Sequence, residues 1–236
     1  MSDRVVIDRR KLFEQVAAHI QRDILNGTLK PGDRLPPERD LQLRFGVGRP
    51  AVREALITLQ RAGLIEIGNG APARVAMPTA EGIVAGLMPA VLQMLQTPTG
   101  QKHFQDVRLF VESGLARRAA LNATDDDVDK LRAALEANRK AIGSRKRFIE
   151  TDVAFHFILA EMTRNPVFIA LHDAMSTWLR QQRSVSLGMP KQEDIAFAAH
   201  ERIFRAIERH DPNAAEAAMA EHIVQLSASY WSALEK

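Results

Sequence analysis

Residues 45–70 read FGVGRPAVREALITLQRAGLIEIGNG. Gly46-Val47-Gly48 makes a tight turn, and from about Arg49 to Arg61 the apolar Val52, Leu56 and Leu59 recur at the spacing of one buried helix face. Gly63 stops that helix. The stretch LIEIGNGAPARVAM (64–77) then reads as two short strands joined at Asn69-Gly70, the strongest local hairpin signal available. Toward the N-terminus, Leu12, Val16, Ile20 and Ile24 line one face of a helix over 11–26, which Asn26-Gly27 ends. LKPGDRLPPERD (29–40) is turn-rich and has room only for a very short strand. Pro37, at the first helical position, opens a short helix through Phe45, with Glu38 near its positive end.

Three helices followed by a hairpin is the plan of a winged helix-turn-helix, in which the short turn before the third helix is the feature that matters for DNA. Small three-helix folds with a hairpin also serve as protein-interaction modules. Beyond Pro78 the pattern changes. Strand signals almost vanish, and helical periodicity covers 80–96, 103–122, 125–142, 146–163, 166–187, 192–209 and 212–234. Breaks fall at Thr97-Pro98-Thr99-Gly100, at Asn122-Ala123-Thr124, at Gly143-Ser144, at Asn165-Pro166, at Gly188-Met189-Pro190 and at His210-Asp211-Pro212. Connections this short make neighbouring helices antiparallel, so an all-α bundle of six or seven helices is expected. The fold class is therefore mainly α. It divides into a winged helix-turn-helix DNA-binding domain over 1–78, a linker helix over 79–98 and an all-helical domain over 99–236.

Composition agrees. The 236 residues are 46% hydrophobic and 26% charged, which excludes general disorder. With no cysteine, neither a disulfide framework nor a thiolate site is open to the chain. No apolar run is long enough to span a bilayer and the start lacks the apolar core of a signal peptide, so a cytoplasmic protein with no membrane contact is expected. About ten residues precede the first helix, so no long N-terminal arm is expected to add DNA contacts. The net charge of +3 is unevenly spread: residues 1–78 hold 13 Lys+Arg against 9 Asp+Glu, and the rest hold 19 against 20. All the positive excess thus lies where a polyanion would bind.

Arg49 and Arg53 stand four apart and emerge from one face at the start of the third helix. A helix in the major groove reads bases from its N-terminal residues, and arginine offers the donor pair that guanine O6 and N7 accept. Arg39, on the second helix, is placed to reach the groove wall or a phosphate. FGVGRPAVREALITLQRAGLIEIGNG, with LPPERDL before it, resembles the DNA-binding domain of GntR-type bacterial transcription regulators over most of residues 10–76. The resemblance implies DNA contact by Arg39, Arg49, Arg53, Asn69 and Gly70. Two positions depart from the pattern. Pro37 stands where a small capping residue is frequent, and Pro50 stands where a hydroxyl side chain is frequent, which removes one possible hydrogen bond to DNA.

In the second half, Asp152 and His156 lie one turn apart in FIETDVAFHFILAEM, beside an apolar stripe. His200 (AFAAHERIFRAI) and His222 (AAMAEHIVQL) occupy later helices, each beside a glutamate. Three imidazoles and one carboxylate make a nitrogen-rich donor set for a divalent first-row metal, Zn²⁺ or Ni²⁺ rather than Mg²⁺ or Ca²⁺. The ordinary reading of such histidines is hydrogen-bonded or half-exposed residues, and that is how His19, His172 and His210 read; His103 has no special claim either.

The segments DVRLFVESGLARRAA, DVAFHFILAEMTRNPVF and HERIFRAIERHDPNAAEAAMAEHI resemble the FCD effector domain that defines the FadR branch of GntR regulators. That resemblance implies metal ligation by Asp152, His156, His200 and His222. It also implies a small carboxylic acid held at the metal by Arg108, with Asn165 and Arg183 orienting the remainder. Within the branch, the likeness extends to sialic-acid-responsive regulators, which makes N-acetylneuraminate the implied effector: its carboxylate beside a ring hydroxyl is a chelating pair. The resulting expectation is a homodimeric, effector-responsive repressor of double-stranded operator DNA. The alternatives are a regulator answering to another organic or sugar acid, or a metal-dependent enzyme acting on a carboxylated small molecule. No Glu, Ser or Lys stands in a motif that suggests a general base or nucleophile for the latter.

Overall fold

The computed structural model describes residues 11–68, 72–187 and 191–234. The chain divides into two compact units, one running to Gly86 and one starting at Leu87.

In the first unit, α1 (Leu12–Leu25) places Val16 and Ile20 in the core, while Leu12 at its end is 58% exposed. Gly27, at φ +78°, takes the left-handed conformation that turns the chain out of this helix. The second helix, α2 (Glu38–Phe45), starts one residue later than the sequence suggests: Pro37 is its N-cap, at ψ 150°, and offers no side-chain cap. Gly46 ends α2 in the left-handed conformation, and α3 (Arg49–Arg61) opens on Gly48 with Pro50 in its first turn. Val52, Ala55, Leu56 and Leu59 of α3 pack into one core with Val16, Ile20, Leu35 and Leu41. Strands β1 (Ile65–Glu66) and β2 (Arg74–Val75) pair antiparallel, Ile65 against Val75 and Glu66 against Arg74, and Arg34 adds a bridge to Arg74. Ile65 and Val75 close the same core, so the wing holds α3 in place. Asn69 and Gly70 lie outside the described residues.

Helix α4 (Ala80–Met94) carries Pro89 within it. Beyond the 87–94 end of α4, the second unit consists of α5 (Pro98–Asn122), α6 (Asp125–Ala141), α7 (Arg145–Met162), α8 (Pro166–Ser186), α9 (Gln192–Glu208) and α10 (Pro212–Leu234). The largest departure from expectation is α5, which begins at Pro98 rather than 103. The break between helices falls at 95–97, and Pro98-Thr99-Gly100 is already helix: the Thr97 hydroxyl accepts from the Gly100 amide at 3.0 Å, and Pro98 sits where no amide hydrogen is needed. Gly100 is the residue that fits here, because a Cβ would collide with the Met94 carbonyl. Ala116, Ala119 and Ala120 are fully buried and let α5 approach the Ala215, Met219 and Ile223 face of α10. Leu131, Leu135, Phe155, Leu159, Ile203 and Ile207 complete that core.

Helix ends are set by local chemistry. Thr124 caps α6 in a capping box: its hydroxyl accepts from the Asp127 amide and the Asp127 carboxylate accepts from the Thr124 amide at 2.9 Å. Arg164, at φ 54°, reaches back from the end of α7 to the same carboxylate at 2.7 Å. Burial pulls the Asp127 pKa upward, but the Thr124 amide and Arg164 outweigh it and hold the carboxyl below its usual range. Thr124→Ala is expected to lower stability by about 1 kcal/mol. Urea unfolding followed by circular dichroism measures it, and an unchanged midpoint would mean the box contributes nothing.

Candidate functional site

Two constellations stand out, one in each unit. In the first, Arg49 and Arg53 project from the N-terminal half of α3, both exposed, and a single carboxylate on α2 holds them together. Glu38 accepts from Arg49 Nε at 3.1 Å and from Arg53 Nε at 3.2 Å. The slight burial of Glu38 raises its pKa, and the two arginines more than offset this, leaving it lowered. These contacts engage Nε, so the terminal guanidinium nitrogens that would grip a base or phosphate are not consumed by them. Exposed pairs of this kind add little stability; what Glu38 does is hold two long side chains in one orientation. Arg39 lies beside it on α2, exposed. The sequence marked Glu38 only as a helix-start carboxylate. Its contact with residues 11 and 15 positions later depends on the crossing of α2 over α3.

In the second unit, Asp152 and His156 of α7, His200 of α9 and His222 of α10 converge, and one donor atom from each lies within 4.8 Å of all the others. All four are essentially excluded from solvent. The three imidazole centroids are 4.8–5.4 Å apart, and His200 Nε2 is 3.5 Å from Asp152 Oδ1. The Nε2 atoms of His156, His200 and His222 and Asp152 Oδ1 have no hydrogen-bond partner, while Asp152 Oδ2 faces Arg183. Burial, reinforced by the neighbouring positive charges, pushes His200 and His222 well below the ordinary histidine range, so each is neutral and carries a lone pair. A metal bound tetrahedrally at about 2.1 Å sets its donors roughly 3.4 Å apart, so small side-chain shifts would close this group on one ion. The residues present thus fit a divalent metal: three buried imidazole nitrogens without hydrogen-bond partners, those of His200 and His222 neutral, facing one carboxylate.

A second layer surrounds them. Glu112 of α5 lies against His156 Nδ1 and accepts from Arg108 Nε at 2.6 Å. Burial would raise the Glu112 pKa, but Arg108, His156 and Arg183 hold it well below the usual carboxylate range. Arg183 of α8 pairs with Asp152 and is 1% exposed; burial and then Arg108 disfavour its charge. Asn138 of α6 sits against His200 Nδ1 at 2.9 Å. Between α5 and α8 a cavity of about 30 Å³ is walled by Val111, Phe168 and Met175, with Arg108, Glu112 and His172 as its polar residues. Both His172 nitrogens and Arg108 Nη2 are buried there without hydrogen-bond partners.

The structure therefore brings Arg108 and Arg183 to the cluster. It does not bring Asn165, whose Oδ1 caps α8 by accepting from Val167 N at 3.0 Å. Glu112, Asn138 and His172 were missed by sequence reasoning. Glu112 and Asn138 are polar residues in helix interiors, a signal only when burial is known, and His172 read as structural.

Residues 12–75 match the model for bacterial regulatory proteins of the gntR family, and residues 104–225 match the FCD domain. The HTH-type transcriptional repressor NanR of Klebsiella aerogenes is 42% identical over 230 residues, which span 97% of this chain and 88% of that protein. The repressor of the same name from Escherichia coli strain K12 is 40% identical over 224 residues, covering 94% and 85%. The chain belongs to the gntR family and carries an FCD domain. Among solved structures, Streptococcus agalactiae GntR shares the fold with a TM-score of 0.56 at 23% identity, covering 92% of this chain and 99% of that one. This GntR protein is accordingly a transcriptional repressor of the FCD type, not an enzyme. Its gntR module binds DNA and its FCD domain is a small-molecule effector module. Among the described residues, no helix is long and apolar enough to cross a membrane.

Burial holds the pKa of His172 down to about 4, against 6.5 when free. Between those pH values the unfolded chain binds more protons than the folded one, so stability falls as pH drops through this window. At about pH 5 the loss from His172 reaches at most about 2 kcal/mol. In the presence of a chelator, thermal midpoints at about pH 7 and about pH 5 should differ, and His172→Phe should shrink the difference. An equal difference in the variant would place the acid sensitivity elsewhere.

Proposed function

We propose that this repressor senses a small organic acid through a metal held by Asp152, His156, His200 and His222. The observation that carries the reading is the convergence of those four buried donors with three imidazole Nε2 atoms unpartnered. Nitrogen-rich ligation selects Zn²⁺ or Ni²⁺. Charge accounting points to an anion as the effector. Arg108 and Arg183 balance Glu112 and Asp152, so a divalent cation leaves this buried site two charges positive, a state that an incoming carboxylate relieves. Held by these four residues, the ion would act as a Lewis acid that takes a carboxylate and a neighbouring hydroxyl by expanding its coordination beyond four. Arg108, which keeps a buried Nη2 without a partner, is the side chain placed to grip a carboxylate oxygen. The effector assigned is N-acetylneuraminate, on the resemblance to sialic-acid-responsive regulators and on its chelating carboxylate and hydroxyl.

On the DNA side, Arg49, Arg53 and Arg39 read an operator in the major groove, and Asn69 and Gly70 are assigned DNA contact on the sequence resemblance. Residues 1–78 act as the DNA-binding domain, 79–98 as the linker and 99–236 as the sensor. A homodimer presents two recognition helices to two half-sites. Phe110 supports a dimer: it is 82% exposed on α5, one turn from the exposed Val107, and an aromatic so placed gains by being covered. Acid binding shifts the packing around Arg108 and Arg183, and the linker helix carries that shift toward the DNA-binding domain. Such a shift requires the acid to prefer one arrangement over the other.

Metal analysis and calorimetry on the purified full chain test the sensor. The wild-type protein should hold one divalent ion per chain and show a thermal midpoint that rises with N-acetylneuraminate concentration. His200→Ala should lose metal and that response together. A wild-type protein without bound metal overturns the metal reading; a metal-loaded protein answering only to other acids overturns the effector alone. For DNA, Arg49→Ala should weaken operator binding by about 1–3 kcal/mol with folding intact. Unchanged affinity in a gel-shift titration would remove α3 as the reading helix.

A further inference from the structure

Asn138 lies in the interior of α6, where asparagine is a poor helix former, and it is fully buried. Its side chain touches two other helices. The amide nitrogen Nδ2 donates to Thr151 Oγ1 of α7 at 2.9 Å and approaches the Phe148 carbonyl at 3.5 Å. Thr151 in turn directs its own hydroxyl hydrogen at backbone carbonyls, with Arg147 O at 2.9 Å and Phe148 O at 3.0 Å. The Thr151 oxygen facing Asn138 is therefore an acceptor, and so is the Phe148 carbonyl. Only the NH₂ end of Asn138 satisfies both. The other end, Oδ1, must then face His200 Nδ1, 2.9 Å away, and a carbonyl oxygen there accepts only from an N–H.

We infer that Asn138 is a positioning residue for the metal: it fixes His200 in the Nδ1–H tautomer and so keeps the Nε2 lone pair turned toward Asp152, His156 and His222. This rests on the metal reading above and extends it outward by one layer. A metal-binding histidine generally needs its remote N–H engaged in this way, and loss of that partner typically weakens binding by about 10- to 100-fold. Phe155 stacks on the His200 ring with centroids 4.5 Å apart, which limits tilting but does not choose between tautomers. That choice falls to Asn138.

The test uses the full-length protein and Co²⁺ as an optical probe, with Zn²⁺ affinity read by competition against a chromophoric chelator. Asn138→Leu keeps the volume and removes the acceptor; about 10- to 100-fold weaker metal binding is expected, with an altered Co²⁺ absorption spectrum. Asn138→Asp restores an acceptor toward His200, with the Thr151 hydroxyl turning its hydrogen from the backbone carbonyls to the second carboxylate oxygen, and should recover part of the affinity lost in Asn138→Leu. Affinity and spectrum unchanged in Asn138→Leu would overturn the proposal. Failure of Asn138→Asp to improve on Asn138→Leu would do the same, because a purely packing role predicts no rescue. Should either variant not fold, nitrogen-15 shifts of labelled histidine in the wild-type protein decide the matter: a His200 proton on Nδ1 supports the role, and one on Nε2 excludes it. Wild-type protein that takes up no Co²⁺ overturns the metal reading itself, and the role with it.

Discussion

Two arginines, two carboxylates and three imidazoles are withdrawn from water at the middle of the helical bundle, and the architecture of the second unit follows from making that tolerable. Each unpaired polar group in such a place costs about 1–3 kcal/mol, and charged groups cost more. The bundle answers with paired opposites, Arg108 with Glu112 and Arg183 with Asp152, drawn from α5, α7 and α8. Around them lies an apolar core built on small alanines and on Leu131, Phe155, Leu159 and Ile203, which keeps water out. The lone pairs left over point at one another, and only a cation placed among them would use all of them at once.

The first unit works by a different constraint. Its core is small, and the wing strands contribute Ile65 and Val75 to it, so α3 cannot tilt without opening the hydrophobic contact beneath. Rigidity under the helix is combined with order on its outer face, where Glu38 gathers Arg49 and Arg53. A pre-gathered pair of arginines loses less side-chain freedom on meeting DNA than two independent ones would. Neither arginine is consumed by the contact, since a solvent-exposed ion pair exchanges readily for a phosphate or a base edge.

Much of this was legible in advance, element by element. The tight turn at Gly46–Gly48, the helix stop at Gly63 and the caps at Thr124 and Asn165 are local backbone chemistry, and the structure shows each acting where the residues are. Pro98 shows the limit of the same chemistry: the break beside it is real, but with Thr97 as cap the proline already starts the next helix, five residues before 103. The surroundings of His172 were beyond the reach of sequence for another reason. Nothing within four residues of it says that both its nitrogens end up buried beside Arg108 and Glu112.

The amino-acid order alone determined where helices begin and end and which faces are apolar, because capping, turn conformation and hydrophobic period act within one or two turns of chain. It also carried the Asp152–His156 pair, since one turn of helix fixes their common face. That His200 and His222 join them, that Glu112 backs one histidine and Asn138 another, and that Glu38 holds two arginines were decided by tertiary structure. Those partners are separated by 11 to 70 positions and meet only because helix packing sets the distance and angle between faces. Hydrogen bonds and metal ligation depend on tenths of an ångström, and no spacing rule along a chain reaches that far.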